Sequence, residues 1–171
     1  MAQTRTRTSL KLLLVVAVCV GSADTLDMTM YERNLELQAG AMKMYWTISG
    51  DTLLLGLEAT ATGWVAFGLA ETTGMRGSDI VYYEAARAKL IDAYAPDYRK
   101  PVADTCQDWN LEAAEQQGTT ISLQLSRKLL SSDTMDRNIT DDAAIPLLPT
   151  PVIAAWGNSE EIEYHCSTCR V

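Results

Sequence analysis

The sequence predicts an all-β protein, built as an antiparallel β-sandwich. Short runs of apolar and β-branched residues recur along the chain, with turn signals between them, which is typical of this architecture. No run has the period of a long amphipathic helix. The 171 residues suffice for one domain with a substantial core.

The strands follow from alternation and from the turns between them. The segments "SGD" (49–51), "ATG" (61–63) and "QQGT" (116–119) are typical of hairpin turns. The run "TISLQLS" (120–126) alternates strictly, as a strand with one buried face does. The predicted strands are 44–48, 52–59, 63–69, 79–85, 89–94, 109–114, 120–126 and 152–156.

The N-terminus has the composition of a secretory signal peptide, predicted to span residues 1–23. Three basic residues precede an apolar run at 12–20, and small residues follow up to Ala23. The apolar run is about half the length of a membrane-spanning helix. We therefore expect a secreted chain with no membrane span, in which residues 24–43 form a lead-in to the domain.

Cysteine usage and a glycosylation signal fit an exported protein. Cys106, Cys166 and Cys169 lie outside the predicted leader. Three thiols predict one disulfide and one free cysteine, and the sequence leaves the pairing open. The segment "NIT" at Asn138 is an N-glycosylation sequon.

Charge and histidine content exclude several functions. The formal net charge is −8, and removal of three basic residues with the leader makes it −11. Such a domain repels nucleic acid. His165 is the single histidine, whereas copper centres and histidine-based zinc catalysis need two or more imidazoles. No phosphate-binding loop or dinucleotide fingerprint is present. We expect no catalytic activity from this chain alone.

One methionine stands in an unusual context. Met75 lies between Gly74 and Gly77 in a polar loop, although thioethers usually pack in cores. Methionine and histidine are the two axial ligands of many electron-transfer haems. Met75 and His165 are therefore a candidate pair. The alternative is that Met75 fills a packing gap and His165 lies on the surface.

An ordered series of motifs resembles the DOMON family. The motifs are "WTISGDTLLLGLEATATGWVAFGL", "GMRGSDIV", "DAYA", "QDWNL", "DTMDRNIT" and "AAWG" followed by "YH". The similarity runs from Met44 to His165, so residues 44–171 are predicted to form a DOMON domain. The resemblance implies an immunoglobulin-like β-sandwich of about ten strands. The chain ends soon after His165, where most members continue into a closing strand. We expect this shorter C-terminus to loosen the histidine side of a pocket.

The resemblance also implies a function. Some members are haem-b cytochrome domains, in which one methionine after the "GW" strand and one histidine near the C-terminus bind the iron. These positions match Met75 and His165. The expected function is haem-b binding and one-electron transfer with a redox partner protein or a membrane cytochrome. The similarity is greatest to the N-terminal module of copper monooxygenases of the dopamine β-hydroxylase type. The alternative is therefore a non-haem module that binds sugars or another protein.

A cation site is the second implication of the resemblance. Monooxygenase-type relatives hold a hard cation with carboxylates equivalent to Asp79 and Asp108. Backbone oxygens matching Ile80 and Ala93 complete that set, and all-oxygen ligands suit calcium. Asp92 is a third acidic residue at a predicted strand edge in the matching motifs. The alternative is that these carboxylates only cap turns.

Overall fold

The computed structural model describes residues 26–72, 74–139 and 150–171. The predicted signal peptide lies outside these residues. The described chain forms ten strands and one short 3₁₀ turn, Ala85–Arg87. The strands are β1 Arg33–Gln38, β2 Met42–Ser49, β3 Thr52–Thr60, β4 Trp64–Leu69, β5 Asp79–Glu84, β6 Lys89–Tyr94, β7 Val102–Ala103, β8 Asn110–Gln117, β9 Thr120–Lys128 and β10 Val152–Gly157.

The strands form two antiparallel sheets of five, which confirms the predicted β-sandwich. The first sheet has the order β1-β2-β3-β9-β8, and the second has the order β10-β4-β5-β6-β7. Each of the eight predicted strands is present. Two strands, β1 and β7, were not predicted. Strand β1 has only two alternating leucines, Leu35 and Leu37, and none of its side chains is fully buried, whereas β7 has only two residues.

The inward rows of both sheets form the main core. In the first sheet, Leu55, Leu123 and Leu125 are each 1% exposed. In the second sheet, Val65 and Phe67 point inward and pack in the same cluster. Burying side chains of this size is worth about 1.5–3 kcal/mol each, so this core dominates the folding free energy.

The second sheet is covered on both faces. All six residues of β4 and all six of β5 are buried. Alternate residues therefore pack on the outer face, where Trp64, Ala66 and Ile80 form a separate apolar cluster with Ile162. A one-sided antiparallel sheet would leave this row in water. The outer cluster instead forms the floor of a cavity described below.

The C-terminal tail is fixed against β10. A disulfide joins Cys166 and Cys169, and the Cys106 thiol is free and exposed. Val171 N–H donates to Ala154 O at 2.9 Å, and Ala154 N–H donates to Val171 O at 3.1 Å. The expected loosening after the histidine is therefore not observed, because β-type pairing holds the tail. Among the described residues, no helix is long and apolar enough to cross a bilayer.

Candidate functional site

A cavity of about 590 Å³ lies on the outer face of the second sheet. Its apolar floor comes from β4, β5 and β10, through Trp64, Ala66, Ile80, Ile153 and Ala155. Both Met75 and His165 line this cavity, although 90 positions separate them in the sequence. The volume and the apolar lining are in the range of pockets that bury a cofactor or drug-sized ligand.

The loop between β4 and β5 presents Met75 to the cavity. Gly74 and Gly77 adopt φ of +121° and +74°, a backbone region that favours glycine. Buried Ser78 closes the loop, since its Oγ donates to Gly74 O at 3.0 Å and its N–H donates to Met75 O at 3.0 Å. Arg137 donates to Gly77 O at 2.7 Å from outside. The loop is thus built so that a thioether packs against the outer cluster.

His165 lines the same cavity from the C-terminal segment, directly before the disulfide. Its Nδ1 is 3.3 Å from Cys166 O. A carbonyl only accepts, so Nδ1 is the donor in this contact. The exposed Tyr164 ring stacks on the imidazole, with ring centroids 5.2 Å apart and planes at 21°. The half-buried imidazole is thereby oriented with one nitrogen available as a ligand.

A buried carboxylate anchors the segment that leads to His165. Glu84, at the end of β5, is 3% exposed and accepts a hydrogen bond from Ile162 N–H at 3.1 Å. Its other oxygen pairs with Arg87 at 2.9 Å, and Arg87 also pairs with Glu161. Ile162 is therefore held over Trp64 in the outer cluster, which closes one wall of the cavity. Nothing in the sequence marks Glu84 as part of this wall.

A second polar site lies inside the sandwich, at one end of the core. Arg127 of β9 is 1% exposed and follows the inward row of Leu123 and Leu125. Its guanidinium donates a hydrogen bond to Asp79 Oδ2 at 2.6 Å and forms an ion pair with Asp136 Oδ2 at 3.1 Å. Carboxylate atoms of Asp79, Asp92 and Asp136 lie within 4.8 Å of one another. One buried cation thus faces three carboxylates, and negative charge remains in excess.

The protonation of this cluster reflects its burial. Burial raises the pKa of Asp92 to about 6, although the Asp108 N–H bond to its carboxylate opposes that rise. Burial and a hydrogen bond to Asp108 raise the pKa of Asp136 to about 7. The Asp108 pKa is lowered, because Asp136 and Ser131 donate to it. Asp92 Oδ1 is buried without a hydrogen-bond partner in the described structure.

The four residues implied as cation ligands lie close together. Asp79 belongs to the carboxylate cluster, and Asp108 adjoins it through its hydrogen bond with Asp136. Ile80 and Ala93 face each other across β5 and β6, next to Asp79 and Asp92. The sequence did not point to Asp136 or Arg127. The one signal for Arg127 is a charged residue at an inward position of an alternating strand.

Comparison with known proteins identifies the family. The sequence profile of the DOMON domain matches residues 38–148. This chain therefore belongs to the DOMON domain family, in agreement with the resemblance and with the two five-stranded sheets.

Relatives in sequence are monooxygenase proteins. DBH-like monooxygenase protein 1 of Gallus gallus is 35% identical over 105 residues, covering 60% of this chain and 17% of the relative. The Homo sapiens protein is 30% identical over a match that covers 64% of this chain and 18% of the relative. Dopamine beta-hydroxylase of Rattus norvegicus is 25% identical over a match that covers 80% of this chain and 23% of the relative. The chain thus spans less than a quarter of the length of these relatives.

Relatives in structure are cytochrome domains of dehydrogenases. The cytochrome domain of Myriococcum thermophilum cellobiose dehydrogenase has a TM-score of 0.55 at 12% identity, covering 78% of this chain and 76% of that chain. The cytochrome b domain of pyranose dehydrogenase from Coprinopsis cinerea has a TM-score of 0.51 at 11% identity, covering 76% and 74%. At these identities the comparison establishes the shared fold.

Proposed function

We propose that the protein binds haem b in the cavity on the outer face of the second sheet and transfers single electrons. The observation that carries the proposal is that Met75 and His165 line one cavity of about 590 Å³ with an apolar floor. The two cytochrome domains of the same fold support it. A redox partner protein or a membrane cytochrome would exchange the electron with the haem. The proposal also includes secretion of the chain and glycosylation at Asn138.

Each residue of the pocket has a role in this proposal. His165 would offer an imidazole nitrogen, and Met75 would offer a soft thioether sulfur. Ile80 and Ala66 exclude water from the floor, and Glu84 holds the wall in place. When bound, haem b supplies a one-electron iron couple, whose potential thioether ligation raises. Iron held by both Met75 and His165 would serve one-electron transfer rather than substrate chemistry.

Reconstitution with haem b tests this function. The wild type should give sharp, low-spin bands when reduced. Met75→Ala should shift the spectrum toward high spin and lower the reduction potential, because the thioether favours ferrous iron. His165→Ala should lose most of the bound haem, since imidazole binds both oxidation states. Absorption spectroscopy and redox titration measure these changes.

Met135→Ala is the matched control for the methionine variant. Met135 is 49% exposed and does not line the cavity, so its removal should leave the spectrum unchanged. If the wild type and both ligand variants give the same weak, unspecific spectrum, electron transfer through this pair is wrong. The non-haem module, binding sugars or another protein, then takes its place.

We propose a calcium site at the buried carboxylate cluster as a second function. It is supported by the unpartnered buried Asp92 Oδ1 and by the approach of Asp79, Asp92 and Asp136 oxygens to within 4.8 Å. Asp108, with backbone oxygens of Ile80 and Ala93, adjoins this cluster. Carboxylate and carbonyl oxygens are the ligands that calcium prefers. A cation here would neutralise the charge that Arg127 leaves unbalanced.

Thermal unfolding with and without calcium tests the site. Calcium at about 100 times its Kd should raise the Tm by several degrees, corresponding to about 2.7 kcal/mol. Asp92→Asn should lose most of that rise, because it removes the free carboxylate oxygen. Asp51→Asn, at an exposed acid that pairs with Lys128, should keep it. If calcium does not raise the Tm of the wild type, the carboxylates only pair with Arg127 and do not bind calcium.

A further inference from the structure

We propose that Arg170, assisted by Arg99 and Lys100, binds carboxylate groups of the molecule that occupies the cavity. The site then selects an apolar ligand with an anionic end. The inference deepens the proposed function and rests on the same cavity, since haem b is a planar apolar molecule with two propionates. It concerns a part of the ligand that Met75 and His165 do not touch.

The lining of the cavity is divided by polarity. The floor is apolar, whereas Arg99 and Lys100 line the cavity from the segment after β6 and Arg170 lines it from the tail. Glu163 is the only acidic residue among the described lining residues. Among the lining side chains, three cations face one carboxylate, which gives them a positive balance in a chain with a net charge of −8. Such a lining attracts an anionic group to one side of an apolar pocket.

Arg170 is the principal residue of this subsite. Its backbone is fixed by the bridge to Ala155, and Val171 bonds Ala154 directly after it. Its guanidinium has no ion-pair partner within the described part of the chain, in contrast to Arg87 and Arg127, which pair with carboxylates. A guanidinium binds a carboxylate in a bidentate manner, with two parallel N–H donors. A fixed, unpaired arginine at an apolar cavity is therefore suited to a carboxylate ligand.

Arg99 and Lys100 have only weak competing partners. Arg99 is 3.5 Å from Asp97, and the Arg99 side chain is 86% exposed. Lys100 is 3.7 Å from Glu161, and both side chains are about half exposed. Exposed pairs of this kind contribute little and are screened by salt. A ligand carboxylate would compete with these partners without leaving a buried charge behind.

The disulfide brings the two kinds of ligand contact together. His165 and Arg170 flank the Cys166–Cys169 bridge, and both line the cavity. One short, covalently closed segment thus offers an imidazole to the centre of a ligand and a guanidinium to its anionic edge. The tail is therefore part of the binding site and does more than close the sheet.

Porphyrins without iron test the inference separately from axial ligation. Protoporphyrin IX carries two carboxylates, and its dimethyl ester carries none. We expect the wild type to bind the acid at least about tenfold more tightly than the ester, because charged hydrogen bonds of this strength are lost in the ester. Binding is measured by quenching of tryptophan fluorescence, and the preference should decrease at high salt.

Variants assign that preference to Arg170. Arg170→Gln should lose most of the tenfold preference and leave ester binding unchanged, and Arg170→Lys should restore part of it. Arg33→Gln is the matched control, because Arg33 lies on β1 in the other sheet. A thermal melt verifies that each variant keeps the wild-type fold. Equal affinity for acid and ester in the wild type overturns the inference, as does an Arg170→Gln variant with an undiminished preference.

The outcomes separate this inference from the proposed function. If haem b binds with low-spin bands but the porphyrin acid has no advantage, the inference fails and the haem proposal stands. If the acid is preferred but haem shows no ligation by Met75 and His165, the carboxylate subsite stands and the electron-transfer proposal fails. If neither porphyrin binds and haem b gives only a weak, unspecific spectrum, both are wrong.

Discussion

Replacement of Arg127 by methionine is expected to destabilise the protein by about 3–5 kcal/mol. The variant keeps an apolar stem but leaves the Asp79 and Asp136 carboxylates without the guanidinium that bonds them at 2.6 and 3.1 Å. It also removes a cation that lies 5.5 Å from the Trp109 ring centroid. The free energy of unfolding of a typical domain is about 5–15 kcal/mol, so a loss of this size is severe. Urea unfolding in EDTA, followed by tryptophan fluorescence, measures it.

The adjacent residue supplies the control. Lys128→Met removes a cation from the same strand, but the Lys128–Asp51 pair is exposed, with side chains 63% and 77% accessible. Exposed pairs are worth about 0–1 kcal/mol, so this variant should unfold close to the wild type. Equal losses in the two variants would mean that burial of the Arg127 pair adds nothing to its effect.

The protein in EDTA is expected to lose stability as the pH rises from about 5 to about 8. Burial raises the pKa of Asp92 to about 6 and that of Asp136 to about 7, above the ordinary value of 3.8. The folded state therefore holds protons that the unfolded state has released, and this advantage disappears as the pH passes through the raised pKa values. The expected decrease is on the order of 1–2 kcal/mol per group. Tm measured across this range tests it.

Asp92→Asn identifies the origin of the decrease. The amide does not ionise, so the variant should be more stable than the wild type at pH 8 and should show a smaller decrease with pH. In Asp51, a hydrogen bond from Lys128 lowers the pKa, so Asp51→Asn should keep the full decrease. A wild type whose Tm rises from pH 5 to pH 8, or an unchanged decrease in Asp92→Asn, contradicts the prediction.

The sequence predicted every strand that buries an apolar row, and the two strands that it missed bury none. Alternation in "TISLQLS" identified β9, because one face of that strand packs in the core. Strand β1 gave only a weak signal, two leucines among polar residues, because its side chains are largely exposed and its pairing with β2 is through backbone bonds. Strand β7 is only two residues long and depends on β6 for its position.

The sequence predicted the candidate sites only where a single residue was unusual in its local context. Met75 was noticeable between glycines, but no periodicity relates it to His165, and the expectation that they belong together came from ligand chemistry and family resemblance. Asp136 lies in an irregular segment and reaches Asp79 only through the fold of the two sheets. Arg170 and Glu84 look like ordinary charged residues until the tail and the cavity wall are placed.

Inward and outward residues alternate along β4 and β5, and this alternation affects how sequences of the family can diverge. Val65, Phe67 and Val81 point into the core, while their immediate neighbours Trp64, Ala66 and Ile80 point toward the cavity. Folding stability and ligand chemistry are thus encoded in interleaved positions of the same two strands. Under the proposed function, mutations in the outward row would change what the cavity binds without opening the core. A lineage can therefore acquire, exchange or lose a ligand while its sandwich stays intact.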